Sequence, residues 1–330
     1  MKQTDILAIG DITIDAFIRL KEAEMHCEVD KANCKLCVAF GQKVPYESVE
    51  ICNAVGNPAN AAVSAARLGL HSAILTYVGN DQNGKDCIEE LKKNGVDPSY
   101  IRIENGKHTN YHYVLWYDVD RTILVKHELY DYKLEDIGMP KWVYLSSLGA
   151  HSLQMYQQIS AYLSTHPEIK LAFQPGVFDM KMGKEELAFI YSKADVVCVN
   201  VEESQLILRE QSRDLKVLLK GMASLGPKNV FITDGIDGAY AYNPSQPDNF
   251  WFMPVYPHEP FERTGAGDAF FSTIVSALAL GKTMEEALLW APINAMSVTL
   301  YVGAQKGLLS LEKLEEYLKS AAPDYKAKKI

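Results

Sequence analysis

The sequence lacks any apolar run close to the about 20 residues that a membrane-spanning helix needs. It begins with MKQTDILAIGD, where a short apolar stretch ends at an acid, and this differs from a secretory signal. It also lacks a positive charge balance, because the formal net charge is −9 at pH 7. Such a charge would repel nucleic acid and anionic membrane surfaces. We therefore expect a cytoplasmic protein that binds neither nucleic acid nor membranes.

Cysteine is scarce and unevenly placed. Four of the six cysteines, Cys27, Cys34, Cys37 and Cys52, fall within one short part of the chain. Cys34 and Cys37 form a C-x2-C pair, a spacing that zinc sites use, but the chain has no second such pair. We expect reduced thiols in a strand-rich segment rather than a zinc site.

Two familiar glycine motifs for nucleotide phosphates are also missing. The first predicted strand, AIGDITID, has one glycine where a dinucleotide-binding fingerprint has three. The segment GNDQNGKD has the glycines and lysine of a P-loop, but Asp86 stands where a Ser or Thr should meet magnesium. SALALGKT lacks the first glycine of that motif. These absences argue against a Rossmann dehydrogenase and a P-loop enzyme.

The chain does contain a regular alternation of short apolar runs and amphipathic segments. DILAIGD, DVVCVN and NVFITDG are typical of buried strands, and NPANAAVSAARLG and RDLKVLLKGMASLG are typical of helices. This alternation predicts an α/β fold with a mostly parallel sheet and ligands beyond the carboxyl ends of its strands. Residues 14–54 and 108–130 instead carry alternating aromatic and β-branched residues, and they predict a small antiparallel lid sheet.

The segment FERTGAGDAFFS places two glycines before a predicted helix. Gly265 and Gly267 let backbone amides approach a ligand, and the helix is expected to begin near Asp268. Free amides and the helix dipole at such a terminus bind anions, including a phosphoryl group. Asp268 could accept a proton from an attacking hydroxyl there, or it could be an ordinary acid at a helix start.

Two other predicted helix starts carry polar residues. Gly56, Asn57 and Asn60 begin the helix NPANAAVSAARLG, and their amides would suit a polyol, although a plain N-cap also explains them. Asn200 and Glu203 follow the strand DVVCVN. They could hold a hydrated magnesium ion near phosphates, or they could cap a helix.

In their order along the chain, these motifs resemble those of the ribokinase-like (PfkB) family of ATP-dependent sugar kinases. The series runs from Asp15 through Asn60, GNDQNG, the Asn200/Glu203 pair and TDGIDG to TGAGDAF, and GAQKG follows. The resemblance covers most of the chain. It implies one kinase domain over residues 1–330, with a three-layer α/β/α fold, a mostly parallel central sheet and a small β-sheet lid.

The resemblance also implies a role for each matching residue, with ATP as co-substrate and Mg²⁺ as cofactor. Asp268 would be the general base for the accepting hydroxyl. The remaining roles would be an anion hole from the amides of Gly265, Ala266 and Gly267; sugar binding by Asp15, Gly56, Asn57 and Asn60; ATP binding by Asn200, Thr233, Gly235, Gly238 and Asn294; and Mg²⁺ binding through water by Asn200 and Glu203.

The sequence departs from the family pattern at several positions. Val55 stands where the family usually has the first of two glycines. Glu262, Arg263 and Thr264 replace the usual Asp-Thr-Thr, where the family often binds a monovalent cation. K⁺ dependence is therefore left open, and Arg263 could supply the cation's charge. QPG at 174–176 replaces a frequent Asp-x-Asn pattern.

We predict an ATP- and Mg²⁺-dependent kinase that phosphorylates a hydroxyl of a small sugar. A nucleoside (adenosine-type) kinase is an alternative if lid aromatics such as Tyr113 and Trp116 stack on a base. A sugar-phosphate kinase is another if Arg121 and Lys126 meet a second phosphate. A catalytically silent sugar- or nucleotide-binding protein is the third. The exposed edge of the lid sheet predicts a homodimer.

Overall fold

The computed structural model describes residues 3–27, 34–117 and 120–330 of the 330-residue chain. No helix among these residues is long and apolar enough to cross a membrane. The helices are α1 (Asn57–Arg67), α2 (Gln82–Lys93), α3 (Leu153–Thr165), α4 (Val177–Met182), α5 (Ala188–Tyr191), α6 (Val201–Leu208), α7 (Leu215–Ala223), α8 (Ala266–Ala279), α9 (Met284–Val298) and α10 (Leu311–Lys319). The strands are β1 (Ile6–Ile9), β2 (Thr13–Leu20), β3 (Glu24–His26), β4 (Lys35–Cys37), β5 (Tyr46–Val55), β6 (Ser72–Leu75), β7 (Tyr77–Gly79), β8 (Arg102–Glu104), β9 (Tyr111–Tyr117), β10 (Asp120–Leu124), β11 (Trp142–Leu145), β12 (Lys170–Phe173), β13 (Val196–Asn200), β14 (Asn229–Thr233), β15 (Ala239–Tyr242), β16 (Phe250–Met253) and β17 (Lys328–Lys329).

A nine-stranded sheet forms the centre of the molecule, in the order β17-β16-β15-β14-β13-β12-β11-β1-β6. The strands from β14 to β6 in this order pair in parallel, and β15 to β17 are antiparallel. Strands such as β1 are apolar throughout because helices cover both faces of the sheet. One face packs against α1, α8 and α9, and the other packs against α3, α5 and α7. The predicted three-layer α/β/α fold is confirmed.

A second sheet of four strands, in the order β10-β9-β2-β5, forms the lid. Its strands come from the two predicted segments, of which residues 28–33, 118 and 119 lie outside the described residues. The lid is a mixed sheet rather than the predicted antiparallel one, because β2 pairs in parallel with β9 and antiparallel with β5. The alternation of side chains showed the strands but not their direction, since both pairings have a period of two.

The cysteine cluster differs from the prediction. Cys27 and Cys34 form a disulfide, while Cys37 and Cys52 are free thiols. Antiparallel pairing of β3 with β4 places His26 opposite Lys35. Cys27 follows His26 and Cys34 precedes Lys35, so the two cysteines lie side by side. Among the described residues, no group of three or more Cys, His, Asp or Glu side chains is placed to hold a metal ion.

Two carboxyl groups are buried near the carboxyl ends of the central strands. Asp11 accepts hydrogen bonds from the Tyr132 hydroxyl and from the Gly149 amide, the latter at 2.8 Å. Asp179 accepts hydrogen bonds from the Tyr156 hydroxyl and the Gly176 amide. Burial raises the pKa of both groups to about 7, against the effect of these hydrogen bonds. Both carboxyls are therefore close to neutral in the folded protein at slightly acidic pH.

We expect Asp11→Asn to stabilise the protein at pH values above 7. The pKa of Asp11 rises from its ordinary 3.8 to about 7 on folding, so the unfolded chain loses this proton first. Its contribution to stability therefore falls as the pH rises between these two values. Asparagine keeps an acceptor for Tyr132 and Gly149 without the charge. The gain above pH 7 should be about 1–4 kcal/mol, at 1.36 kcal/mol for each unit of pKa shift.

Urea unfolding of both proteins at about pH 4 and about pH 8 measures this difference. The free energies of unfolding should be similar at the lower pH and should separate at the higher one. An equal gain at both pH values would show that the ionisation of Asp11 is not its source.

Candidate active site

The predicted glycine turn lies at the N-terminus of α8. The helix begins at Ala266, and Gly265 is its N-cap in a left-handed conformation, with φ at 83°. A Cβ atom on Gly265 would lie 2.4 Å from the Cβ of Ala304, so the turn packs closely against the loop after α9. The amides of a first helical turn have no partner within the helix. The turn therefore presents donors and the positive end of the helix dipole.

Asp268 lies in the first turn of α8 and is held by two side-chain amides. The Nδ2 of Asn60 donates to its Oδ2 at 2.7 Å, and the Nε2 of Gln174 donates to its Oδ1 at 3.0 Å. Asn60 belongs to α1 and Gln174 follows β12, so three separate parts of the chain fix this carboxylate. Burial raises the pKa of Asp268, and the two amide hydrogen bonds lower it. A fixed and desolvated carboxylate can accept a proton from a hydroxyl beside it.

Two glutamines that the sequence analysis did not assign to the site hold its residues in place. The hydroxyl of Tyr144 donates to the Oε1 of Gln174, which turns the amide nitrogen of Gln174 toward the carboxylate. The Nε2 of Gln305 donates to the backbone oxygen of Ala54 at 2.7 Å and to the Oδ1 of Asn60 at 3.0 Å. The QPG and GAQKG segments contained these residues, but only the fold showed their partners.

The predicted sugar-binding residues meet where the lid joins α1. Gly56 is the N-cap of α1, with φ at 105° and no side-chain capping bond, and Asn57 is the first helical residue. Asn60 lies farther inside the helix, so the alternative of a plain N-cap is wrong for this residue. Asp15 lies in β2, and its Oδ1 is 3.4 Å from the Nδ1 of His112.

A cleft of about 430 Å³ lies on the other side of the glycine turn. Its walls are mostly apolar, with side chains from β16, α8 and α9, and its rim is polar. Such a pocket suits an aromatic ring system that carries polar substituents. The structure brings to this cleft the predicted residues Asn200, Thr233, Gly235, Gly238, Ala266 and Gly267.

Asn200 and Glu203 form a reciprocal cap at the start of α6. The Oδ1 of Asn200 accepts from the Glu203 amide at 2.7 Å, and the Oε2 of Glu203 accepts from the Asn200 amide at 2.9 Å. The capping interpretation is therefore right for the pair. Burial raises the pKa of Glu203, and the carboxylate of Asp268 raises it further. Two carboxylates that repel each other suit a divalent cation such as Mg²⁺, although Asn200 lines the cleft and Glu203 does not.

Asn294, which was expected to bind ATP, lies in the core of the protein. Its side chain is fully buried between α1, α8 and α9, and it does not line the cleft. Its Nδ2 donates to the Thr273 hydroxyl at 2.8 Å, and its Oδ1 accepts from the Leu309 amide at 2.9 Å. The amide thus satisfies core groups, whereas its neighbours Pro292 and Ala295 face the cleft.

Glu262, next to the glycine turn, is linked to the lid. Only 2% of this residue is exposed, and its Oε1 lies 3.6 Å from the Nη1 of Arg121 in β10. The same oxygen accepts from the amide and hydroxyl of Thr264 at 2.8 and 2.6 Å. Arg263 is exposed at the cleft of about 430 Å³. The cationic side chain that lies next to the buried carboxylate of Glu262 is therefore that of Arg121 and not that of Arg263.

Comparison with known proteins places the chain in one family. The model of the pfkB family carbohydrate kinases matches residues 20–311. The chain is 24% identical to the ATP-dependent 6-phosphofructokinase of Thermoanaerobacterium thermosaccharolyticum, over 95% of this chain and 94% of that protein.

Solved structures share the fold at low sequence identity. Arabidopsis thaliana ribokinase complexed with ribose and ATP superposes with a TM-score of 0.80 at 18% identity, over 96% of this chain and 99% of that one. A putative E. coli ribokinase II in complex with ATP and Mg²⁺ superposes with a TM-score of 0.75 at 18% identity, over the same shares. The match of the family model over residues 20–311 identifies the chain as a member of the pfkB family of carbohydrate kinases.

Proposed function

We propose that this kinase transfers the γ-phosphoryl group of ATP to a hydroxyl of a small sugar, with Asp268 as general base. The position of Asp268 carries this proposal. It stands between the sugar-side residues of α1 and the nucleotide cleft, and Asn60 and Gln174 fix its carboxylate. A carboxylate at the N-terminus of a helix can deprotonate a hydroxyl while the neighbouring amides receive the transferring group.

The glycine turn would stabilise the transferred phosphoryl group. The amides of Gly265, Ala266 and Gly267 lie at the positive end of α8, and two of these residues line the cleft. The backbone amides of the turn would donate hydrogen bonds to the negatively charged equatorial oxygens of the phosphoryl group during transfer. These amides are already in place before the reaction, so they need not reorganise. No covalent enzyme intermediate is needed, so positioning and charge neutralisation supply the rate. The lid would exclude water that could otherwise compete as acceptor.

Magnesium would be held near the phosphates through water by Asn200 and Glu203. When bound, the ion neutralises phosphate charge and orients the phosphoryl groups. The capping bonds keep the Glu203 carboxylate at the start of α6, and its repulsion with Asp268 would be relieved by a cation. ATP would occupy the cleft at Thr233, Gly235 and Gly238.

The structure favours a sugar over the alternative acceptors. Tyr111 and Tyr113 pack against each other on the face of the lid away from Asp15, with ring centroids 5.2 Å apart. Trp116 belongs to a buried apolar cluster and packs against Phe261, so it is poorly placed to stack on a nucleoside base. Arg121 pairs with Glu262, which weakens the case for a second phosphate there. A silent binding protein has no need of a carboxylate held by two amides.

Release of ADP measures this function directly. Purified protein with ATP and Mg²⁺ would be tested against pentoses, hexoses, sugar phosphates and nucleosides, with Asp268→Asn as the control. A signal that depends on one acceptor and is lost in the variant supports the proposal. ADP release with no acceptor, or a signal equal in both proteins, contradicts it. The same assay with K⁺ replaced by a bulky organic cation tests K⁺ dependence, and we expect no stimulation because Arg121 already pairs with Glu262.

We also propose that two copies pair through the outer face of the lid. Ile51, Ala16, Tyr113 and Leu124 form one row across all four lid strands. Ile51, Tyr113 and Leu124 are 58%, 49% and 52% exposed, whereas Ala16 is buried, so the three large side chains of the row form an open apolar surface. A face of this kind on a sheet with exposed edges is usually covered by a partner, and a second copy offers the same surface.

Ile51→Glu should convert the dimer to a monomer, because it places a charge at the β5 end of the apolar row. Leu206→Glu is the matched control, since Leu206 is 63% exposed on α6, away from the lid. Sedimentation velocity of the three proteins measures the result. A wild-type monomer at micromolar concentration, or a dimer that survives Ile51→Glu, would overturn the proposal.

A further inference from the structure

A cluster of two histidines, an aspartate and a phenylalanine lies on the inner side of the lid. Asp15 in β2 and His112 in β9 are partners in the sheet register, and each side chain is only 12% exposed. The ring of His112 lies 5.2 Å from the ring of His127, edge to face. The ring of His127 lies 5.0 Å from that of Phe178, again edge to face. The four side chains thus form a continuous wall from the lid to α4.

Both ends of this wall connect to the residues that hold the base. Phe178 lies four positions after Gln174, which donates to Asp268. At the other end, Asp15 is the sheet partner of Cys52, which lies two positions before Ala54. Gln305 donates hydrogen bonds both to the backbone oxygen of Ala54 and to the side chain of Asn60. The wall therefore belongs to the sugar side of the site, opposite the nucleotide cleft.

Three polar atoms of the wall are buried and lack a hydrogen-bond partner among the described residues. They are the Oδ1 of Asp15, the Nε2 of His112 and the Nδ1 of His127. Buried polar atoms are almost always satisfied, and each one left unpaired is costly. Three of them on one wall of a substrate site indicate groups that the acceptor would satisfy.

The charge of the wall restricts the acceptor. Burial, with a smaller effect from His112, lowers the pKa of His127 to about 4, so this imidazole is neutral at pH 7. The Oδ1 of Asp15 lies 3.4 Å from the Nδ1 of His112, and the Nε2 of His112 is the nitrogen left to contact a hydroxyl group of the acceptor. A carboxylate and the neutral ring of His127 bind hydroxyl groups well, and the carboxylate repels a phosphate or a second carboxylate.

We propose that Asp15, His112 and His127 determine acceptor specificity by binding hydroxyl groups of a neutral, unphosphorylated polyhydroxyl sugar. His112 and His127 are the new members of the site. The inference rests on the proposed sugar kinase activity and names the class of sugar that it uses. An acceptor with an anionic group at this end would meet the carboxylate of Asp15.

The test separates the contact at the Nε2 of His112 from its support of Asp15. In His112→Asn the side-chain nitrogen can still reach the position of the Nδ1 beside Asp15, but the Nε2 is gone. We expect the KM for the neutral acceptor to rise about tenfold, the size of one buried hydrogen bond, with kcat and the KM for ATP nearly unchanged. His127→Phe keeps the ring contacts, removes both nitrogens and should have a similar effect. His26→Asn, at a side chain that is 65% exposed, is the matched control and should change nothing.

A series of deoxy sugars, measured by kcat/KM, distinguishes a direct contact of His112 with the acceptor from a purely structural role of His112. The acceptor that lacks the hydroxyl bound by His112 should lose about tenfold in kcat/KM with the wild type and almost nothing further with His112→Asn. Independent losses for every deoxy sugar would overturn the contact. A wild type that prefers phosphorylated sugars, or variants with the wild-type KM, would overturn the proposed specificity.

Failure of the kinase proposal would look different. In that case the wild type and Asp268→Asn would release ADP equally with every acceptor. Calorimetry would still measure the binding of neutral sugars to Asp15, His112 and His127 in the absence of ATP. Weaker binding to His112→Asn than to His26→Asn would support it, and equal binding or no binding to any sugar would contradict it.

Discussion

Asp268→Asn should reduce turnover by at least about 100-fold while ATP binding stays nearly intact. The substitution removes the carboxylate that would accept the proton of the attacking hydroxyl. In the wild type, both Asn60 and Gln174 donate hydrogen bonds to the carboxylate of Asp268. In the variant, the new NH₂ group at position 268 would face one of these donors, so one of the two hydrogen bonds would be lost. The walls of the nucleotide cleft are not altered, so the affinity for ATP should change little.

Steady-state kinetics and ATP calorimetry check this result, with Asp248→Asn on an exposed loop as the control. The acid limb of the pH profile gives a second readout. Because burial raises the pKa of Asp268, the wild type should lose activity with falling pH well before an ordinary aspartate would titrate. In the variant that limb should shift or disappear. Full activity in Asp268→Asn would remove this residue from the role of base.

Gly265→Ala should lower both stability and activity, whereas Gly267→Ala should lower activity alone. A Cβ on Gly265 would lie 2.4 Å from the Cβ and 2.6 Å from the Cα of Ala304, in a left-handed conformation. The clash and the backbone strain together should cost about 2–4 kcal/mol. Relief of the clash would displace the amides of the turn, and a shift of about 1 Å at a catalytic group can cost about 100-fold in rate.

Gly267 is the matched control for this substitution because the two glycines share one turn. A Cβ there would meet no atom within 4 Å, and Gly267 is the second residue of α8. Alanine should leave the free energy of unfolding unchanged or raise it by up to about 1 kcal/mol, since alanine favours a helix. Its methyl group would stand in the cleft, where the phosphoryl group must approach.

Thermal unfolding and kcat/KM for both variants measure the difference. Equal losses of stability would contradict the separate roles that the structure gives to the two glycines. Wild-type activity in Gly267→Ala would argue that no phosphoryl group approaches this amide.

Several features followed from the sequence because they depend on local chemistry. The alternation of buried apolar runs such as ILAI with amphipathic segments predicted the central sheet and its two helical layers. The glycines of the TGAGD segment predicted a turn at a helix start, and α8 begins there. Asn200 and Glu203 lie within four residues, so their spacing offered the cap as one of two interpretations, and the structure shows the cap.

Only the tertiary structure decided the contacts between distant parts of the chain. Gln174 and Asn60 meet Asp268 from 94 and 208 positions away, and no local pattern records that meeting. The Cys27–Cys34 disulfide depends on the pairing of β3 with β4. The burial of Asn294 was not predicted, because a helix with core on nearly every side gives no signal of which face lines the cleft. The sequence by itself determined the elements and the chemistry available at their ends, and the packing of those ends decided which side chains share a site.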